Sequence, residues 1–317
     1  MQVAKIALEE HVADPNHFDP QFRLKEELAD IHGRLLGEMD AAGIQMSVLS
    51  LKTFIQGIPE RKEAIDTARR ANDYLAEQVT KNPRRFQAFA ALPLQDPEAA
   101  ALELSRCVQQ LGFRGALVNG FSQVDNPNTA VYLDEPRYLD FWATVERLDV
   151  PFYLHPRDPL PGWMPILDGH PWFETSRYAF TVETATHALR LMASGVFDRY
   201  PKLAIVLGHL GETLPNQIWR IDHRIDLMPP KGIPAKKKLG EYLRNNFYIT
   251  TSGNFCTPTL LNAIQWMGAE RILFSVDYPF EKMKEAADWF DRVDAISQTD
   301  WDRIARQNAV RLLKLED

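Results

Sequence analysis

Short apolar runs alternate along this chain with longer stretches whose apolar residues recur every three or four positions. The runs are Ile6–Leu8, Met46–Leu51, Phe86–Leu92, Ala116–Val118, Phe152–Leu154, Leu203–Leu207, Tyr248–Thr251 and Ile272–Ser275, each of strand length. Between them, Arg61–Lys81, Pro97–Leu111, Tyr138–Leu148, Tyr178–Ser194, Thr259–Met267 and Lys284–Ile296 carry helical spacing. Strand alternating with helix implies parallel pairing through right-handed crossovers. Eight such runs predict an α/β fold, a (β/α)8 TIM-like barrel. The near-continuous apolar character of several runs agrees, because parallel strands are covered on both faces. No glycine-rich phosphate loop follows a strand, and Gly112-Phe113-Arg114-Gly115 precedes one. A doubly wound dinucleotide fold is therefore the weaker reading.

Two proline-bearing insertions lack helical period and read as ordered loops: Asp158–Trp172 after the fifth strand and Leu227–Lys238 later. The first leaves the C-terminal end of a strand, where barrel active sites form, and is a candidate lid or pocket wall. A length of 317 residues is within reach of one barrel, so residues 1–317 are expected to be a single domain. The net charge of −7 supplies no positive field for phosphate, which argues against nucleic acid or an anionic membrane as partner. Lys236-Lys237-Lys238 is the one dense basic run, and it reads as a solvated loop. With two cysteines, Cys107 in a helical stretch and Cys256 after a turn, no disulfide framework is implied. No apolar run reaches the length of a membrane span, and the first residues lack a basic segment and cleavage site. A cytoplasmic protein is expected.

Chemistry enters where polar residues fall at strand ends. Glu9 and His11 close the first run two positions apart, which puts them on the same side of an extended chain. His155 ends the fifth, His209 ends the sixth, and Asp277 lies just past the eighth. In a closed barrel these ends share one mouth. A lone histidine at a strand end is more often structural than a ligand, but four strand ends carrying such residues together point to a metal site. Mixed oxygen and nitrogen donors suit zinc, manganese or iron(II) rather than calcium. Of the other histidines, His17 and His32 read as solvated, and His187 as a satisfied helix-face residue. His223 could pair with Asp222 or Asp226, and His170 has either a pocket or a structural role.

Over essentially its whole length the sequence resembles the metal-dependent decarboxylase branch of the amidohydrolase superfamily. The residues that carry this include Ala7-Leu8-Glu9-Glu10-His11, Val150-Pro151-Phe152-Tyr153-Leu154-His155-Pro156-Arg157 and Gly208-His209-Leu210-Gly211-Glu212. Trp219-Arg220-Ile221-Asp222-His223, Thr250-Thr251-Ser252-Gly253 and Phe274-Ser275-Val276-Asp277-Tyr278-Pro279-Phe280-Glu281 continue the pattern. Within the branch it is most similar to the γ-resorcylate (2,6-dihydroxybenzoate) decarboxylases, with the 2,3-dihydroxybenzoate enzymes next; His11, which the latter typically lack, sets the preference.

The resemblance implies one divalent ion, zinc or manganese ahead of magnesium, held by Glu9, His11, His155 and Asp277, and no organic cofactor. It implies catalytic roles for Asp277, His209 and Glu212, and a substrate pocket lined by Asn119 and Phe280. Arg220 is associated with the substrate, in its own or a neighbouring subunit of a homotetramer or homodimer; otherwise it pairs with Asp222 or another carboxylate. Where binuclear relatives carry a lysine at the fourth strand, this chain has Val118-Asn119, so one metal is expected rather than two.

The expected reaction is reversible non-oxidative decarboxylation of an ortho-hydroxybenzoate, a small aromatic acid. An ortho phenolate makes the carboxylated ring carbon nucleophilic, and a cation chelating that oxygen and one carboxylate oxygen supports it. Asp277 then delivers the proton, with His209 and Glu212 setting its protonation. Salicylate and 2,3-dihydroxybenzoate are the alternative substrates. A rival chemistry is metal-dependent hydrolysis of a lactone or amide, in which Asp277 would deprotonate water. A catalytically silent metal-binding scaffold is the third reading.

Overall fold

Each of the eight apolar runs contributes a parallel strand to the computed structural model, which describes residues 4–316 apart from the side chain of Ile166. In chain order they are β1 (Lys5–Val12), β2 (Ile44–Leu51), β3 (Phe86–Ala88) and β4 (Ala116–Asn119). They continue as β5 (Phe152–His155), β6 (Ile205–Leu207), β7 (Phe247–Thr250) and β8 (Ile272–Leu273). Ladders join β1–β2–β3 and β4–β5–β6–β7–β8 in sequence order.

Single bridges span the two remaining seams, Ala90 to Ala116 and Glu10 to Tyr278. Leu117 donates its N–H to Ala90 O at 3.0 Å on one side; His11 donates to Tyr278 O at 2.7 Å on the other. The ring therefore closes, but through irregular backbone. For that reason β3 and β8 are shorter than the apolar runs Phe86–Leu92 and Ile272–Ser275 that announced them.

Alternation along the strands sorts the core into two layers. Ile6, Leu8, Val48, Phe89, Leu117, Tyr153, Val206 and Leu273 form a cluster of inward side chains, joined by Ala309 and Leu313 of the last helix. A far larger cluster fills the space between strands and helices. Burying apolar area yields about 25 cal/mol per Å², so both faces of each strand must be apolar for the barrel to be stable. The helix Arg61–Lys81 shows how the outer layer is made: Ala64, Ala68, Ala71 and Leu75 are buried along one stripe. Its first turn is capped by Glu60, whose carboxylate accepts from Lys62 N–H at 3.1 Å and Glu63 N–H at 2.7 Å.

Some elements lay outside the sequence reading. The segment between β1 and β2 folds into consecutive helical pieces, Lys25–Ala29, Ile31–Leu35 and Leu36–Ala42. An antiparallel hairpin, Ser122–Val124 with Asn126–Val131, follows β4. The stretch Lys284–Ile296 is helical only from Met283 to Asp291. The insertion after β5 is ordered, as expected, in short 3-10 turns at Pro161–Trp163, Pro165–Leu167 and Pro171–Phe173. Proline leads each, fixing φ where no donor is needed. Trp163 stacks on Tyr132, the residue after the hairpin, ring centroids 6.1 Å apart. Among the described residues no helix is long and apolar enough to cross a membrane.

Candidate active site

The side chains of Glu9, His11, His155 and Asp277 meet at the mouth, with one donor atom from each lying within 4.8 Å of all the others. His11 Nε2 is 3.3 Å from Asp277 Oδ1, and His155 Nε2 is 3.3 Å from Glu9 Oε1. The outer nitrogen of each histidine is occupied. His11 Nδ1 meets Ser50 Oγ at 2.9 Å, and His155 Nδ1 meets Pro156 O at 2.9 Å and Asn119 Nδ2 at 2.8 Å. Those contacts turn both Nε2 atoms inward, the arrangement that orients imidazole ligands in metal sites. Glu9 Oε2 is held by the hydroxyls of Tyr153 and Ser252.

What remains is the test of whether a cation fits. Glu9 Oε1 and His11 Nε2 are both buried and, among the described residues, have no hydrogen-bond partner. A buried polar atom left unsatisfied costs about 1–3 kcal/mol, and here two of them face one point. Burial pushes the His155 imidazole well below its usual range, with His11 adding to the effect, so it stands neutral as a ligand must. Four donors of mixed carboxylate and imidazole type, two of them otherwise orphaned, fit a divalent transition metal.

Asp277 has a second face. Its Oδ2 lies 3.7 Å from His209 Nε2, and His209 Nδ1 is 2.6 Å from Glu212 Oε1. Burial works against a charge on His209, but Glu212 and Glu9 outweigh it and raise the imidazole well above its usual range. Burial likewise opposes ionisation of Asp277, while the neighbouring imidazoles of His11 and His209 hold its carboxyl below the usual carboxylate range. His209 can thus hold a proton beside the Asp277 carboxylate.

The backbone that presents these groups is strained. His209, Leu210, Glu212, Thr213 and Asp277 all have positive φ, between 52° and 81°. Such conformations cost of order 1–3 kcal/mol each and persist where surrounding structure imposes them. Glycine permits the crowding: a Cβ at Gly208 would lie 2.9 Å from Glu9 Oε2, and one at Gly253 2.9 Å from His209 Cδ2.

A pocket of about 220 Å³ lies over the cluster, and its lining includes His11, Asn119, His155, Lys52, Phe22 and Phe54. A larger cavity of about 780 Å³ opens beside His209 and Glu212. The smaller one is the better place for a reacting ring, because two of the metal-competent histidines face it. Phe280, expected to line the pocket, is not among its lining residues, but its ring lies 5.7 Å from the His11 ring and 6.5 Å from that of Phe22. Among the described residues, none of 158–172, read as a lid or wall, lines it; its outer wall comes from the segments after β1 and β2.

Within one chain Arg220 is exposed and lines neither cavity. Asp222, its suggested partner, instead accepts from the N–H groups of Leu239 and Gly240 at 2.8 and 3.0 Å. His223 pairs with neither aspartate: it stacks on Trp219 at 4.9 Å, and Asp226 pairs with Lys238. His187 is only half satisfied, accepting from Leu133 N–H at 3.1 Å while its Nδ1 has no partner among the described residues. His170 packs against Trp172 on an exposed loop, away from both cavities.

The sequence reading missed the residues that support the ligands. Tyr153 alternates into the barrel interior between the apolar residues of β5, and nothing in its local pattern marks it. The polar run Thr250-Thr251-Ser252 at the end of β7 was a usable signal. Glu10 points away from Glu9 and stitches the seam: its carboxylate accepts from Val276 N–H at 3.0 Å, Tyr278 N–H at 3.1 Å and Ser275 Oγ at 3.1 Å. Those donors flank Asp277.

Comparison with known proteins agrees with this geometry. The family model described as Amidohydrolase matches residues 16–315. The γ-resorcylate decarboxylase of Rhizobium sp. is 54% identical over 98% of this chain and 98% of that protein. A crystal structure of 2,6-dihydroxybenzoate decarboxylase complexed with 2,6-dihydroxybenzoate aligns at TM-score 0.95 and 54% identity, covering 99% of this chain and 100% of that one. A dihydroxybenzoic acid decarboxylase from Polaromonas sp., with bound manganese and the inhibitor 2-nitroresorcinol, aligns at TM-score 0.94 and 52% identity, over 99% and 98% of the two chains. With the barrel order, the converging donors and a match over nearly every residue in accord, the chain belongs to the amidohydrolase family.

Proposed function

We propose that this chain is a metal-dependent carboxy-lyase acting on an ortho-hydroxybenzoate, with 2,6-dihydroxybenzoate, yielding resorcinol and carbon dioxide, as the substrate. The observation that carries the reading is Asp277: one carboxylate oxygen belongs to the four-donor cluster and the other faces His209 Nε2 at 3.7 Å. A group that both touches the metal site and can take up a proton is what protonation of a chelated ring requires. Relatives sharing 54% identity over nearly the whole chain are γ-resorcylate decarboxylases.

Glu9, His11, His155 and Asp277 would hold one zinc or manganese ion. When bound, the ion supplies the positive charge that chelates the carboxylate and ortho oxygen and favours the phenolate form. The rest falls to the protein. Phe280 and Asn119 orient the ring in the pocket beside His11 and His155. His209 passes its Nε2 proton to Asp277, which delivers it to the ring carbon bearing the carboxylate. The bond to the carboxylate then breaks, its electron pair restores the aromatic ring, and carbon dioxide leaves. Glu212 keeps His209 in the charged state, and the larger cavity opening on His209 lets solvent replace the proton. Delivery by a positioned acid is worth about 10²–10⁴ in rate.

A panel of salicylate, 2,3-, 2,4- and 2,6-dihydroxybenzoate with the metal-loaded protein tests this. Carbon dioxide and a phenol are expected, fastest with the 2,6 isomer. Opening of a lactone without gas, and no turnover of any benzoate, would replace decarboxylation with hydrolysis. Asp277→Asn should lower kcat by about 10²-fold or more while benzoate binding survives; a near-normal rate would remove Asp277 from the proton path.

A further inference from the structure

Lys52 follows the last residue of β2, and its side chain enters the pocket that holds His11, Asn119 and His155. Its backbone N–H donates to Val12 O at 2.8 Å, which fixes it beside the end of β1. The ammonium sits 5.1 Å from the centre of the Phe280 ring. Among the described residues it makes no hydrogen bond and no ion pair; the anion that acts on it is Asp277, from a distance. The more deeply buried cations Lys5 and Arg157 have partners nearby. Lys5, almost fully buried, pairs with Asp291 at 2.8 Å, and Arg157 donates to Phe121 O at 2.7 Å. A cation withdrawn from water without a partner is costly, and the carboxylates of the cluster are already directed elsewhere.

From this we infer that Lys52 is a substrate-binding residue: its ammonium recognises the anionic edge of the aromatic acid that the metal leaves uncovered. The inference rests on the decarboxylase reading and extends it to specificity. A benzoate chelated through one carboxylate oxygen and one ortho oxygen still presents its second carboxylate oxygen and a second ortho oxygen. A ring packed against Phe280 brings that edge within reach of a flexible four-carbon side chain standing over the same face. Lys52 therefore selects for benzoates carrying negative charge on this edge, and it contributes little to a neutral phenol of the same shape. The bland alternative is a lysine whose stem covers apolar surface while its head reaches solvent, and it predicts no such discrimination.

The test uses Lys52→Met and Lys52→Arg in the metal-loaded protein, with folding checked by circular dichroism. KM for 2,6-dihydroxybenzoate, its calorimetric Kd, and the inhibition constant of resorcinol are measured. A lost charge-assisted hydrogen bond corresponds to about 10–100-fold, so Lys52→Met should raise KM and Kd for the benzoate by that factor. The resorcinol constant should stay within about twofold, and Lys52→Arg should recover most of the loss. Benzoate binding unchanged in Lys52→Met, or benzoate and resorcinol weakened equally, would overturn the assignment. Should the unaltered protein release no carbon dioxide from any hydroxybenzoate, the decarboxylase reading fails instead, and the calorimetric comparison still decides whether Lys52 binds the aromatic acid.

Discussion

Glu183 lies on the helix Ala179–Ala193 behind the pocket, only 4% exposed, and is the group whose removal has the clearest calculable effect. Tyr132 donates its hydroxyl to Glu183 Oε2 at 2.9 Å, while Oε1 has no partner among the described residues. His187, 3.9 Å away, offers no charge, because burial pushes its imidazole down to about 3. Burial raises the Glu183 carboxyl from 4.5 to about 7, against smaller opposing effects of Tyr132, Arg157 and Arg190.

In the unfolded chain this carboxyl ionises near 4.5, so between that value and about 7 the folded state binds the extra proton. Stability must then fall as pH rises through the window, and level off above it. At about 1.36 kcal/mol per pH unit the full loss is about 3 kcal/mol. Glu183→Gln keeps the shape and the Tyr132 contact but cannot ionise. Urea unfolding of both proteins at about pH 5 and about pH 8.5 should show the variant gaining about 2–3 kcal/mol on the wild type between the two conditions. Two unfolding free energies that shift in parallel with pH would refute the argument, and would mean that water or a cation reaches Glu183 Oε1.

Other consequences follow from the site. Glu10→Ala strips the acceptor from the Val276 and Tyr278 N–H groups. It should cost about 2–6 kcal/mol of unfolding free energy, and a loss below about 1 kcal/mol in urea titration would show that the seam does not depend on this carboxylate. Glu212→Gln removes the charge that keeps His209 protonated; kcat should fall about 10–100-fold with metal content unchanged, and loss of bound metal by elemental analysis would place Glu212 in the metal site instead. Chelation of the metal leaves Glu9 Oε1 and His11 Nε2 without partners. Restoring manganese at about 100 times its Kd should add about 3 kcal/mol of stability and raise Tm; an unchanged Tm would mean the four donors do not bind it.

The barrel was legible because its physics is local and repetitive. Parallel strands covered on both faces must be apolar runs, and the helices over them must carry a stripe, so period alone located every strand of the barrel, though not the hairpin after β4. Glu9, His11, His155, His209 and Asp277 were legible for a related reason: a metal-competent residue at the end of an apolar strand interrupts a pattern that would otherwise continue. What the pattern could not hold was anything set by contact across the barrel. Ser50, Tyr153 and Ser252, polar residues of ordinary kind in the sequence, become the hydroxyls that turn His11 and Glu9 toward the cluster. Glu10, adjacent to Glu9, points the other way and ties the last seam. Lys52 reads as the first polar residue after a strand, and only the packing of β2 beside Phe280 makes it a cation in the pocket with no ion pair among the described residues. Sequence determined which residues stand at the mouth; the tertiary structure decided which of them face one another, because burial, partner and charge exist only once the ring of strands has closed.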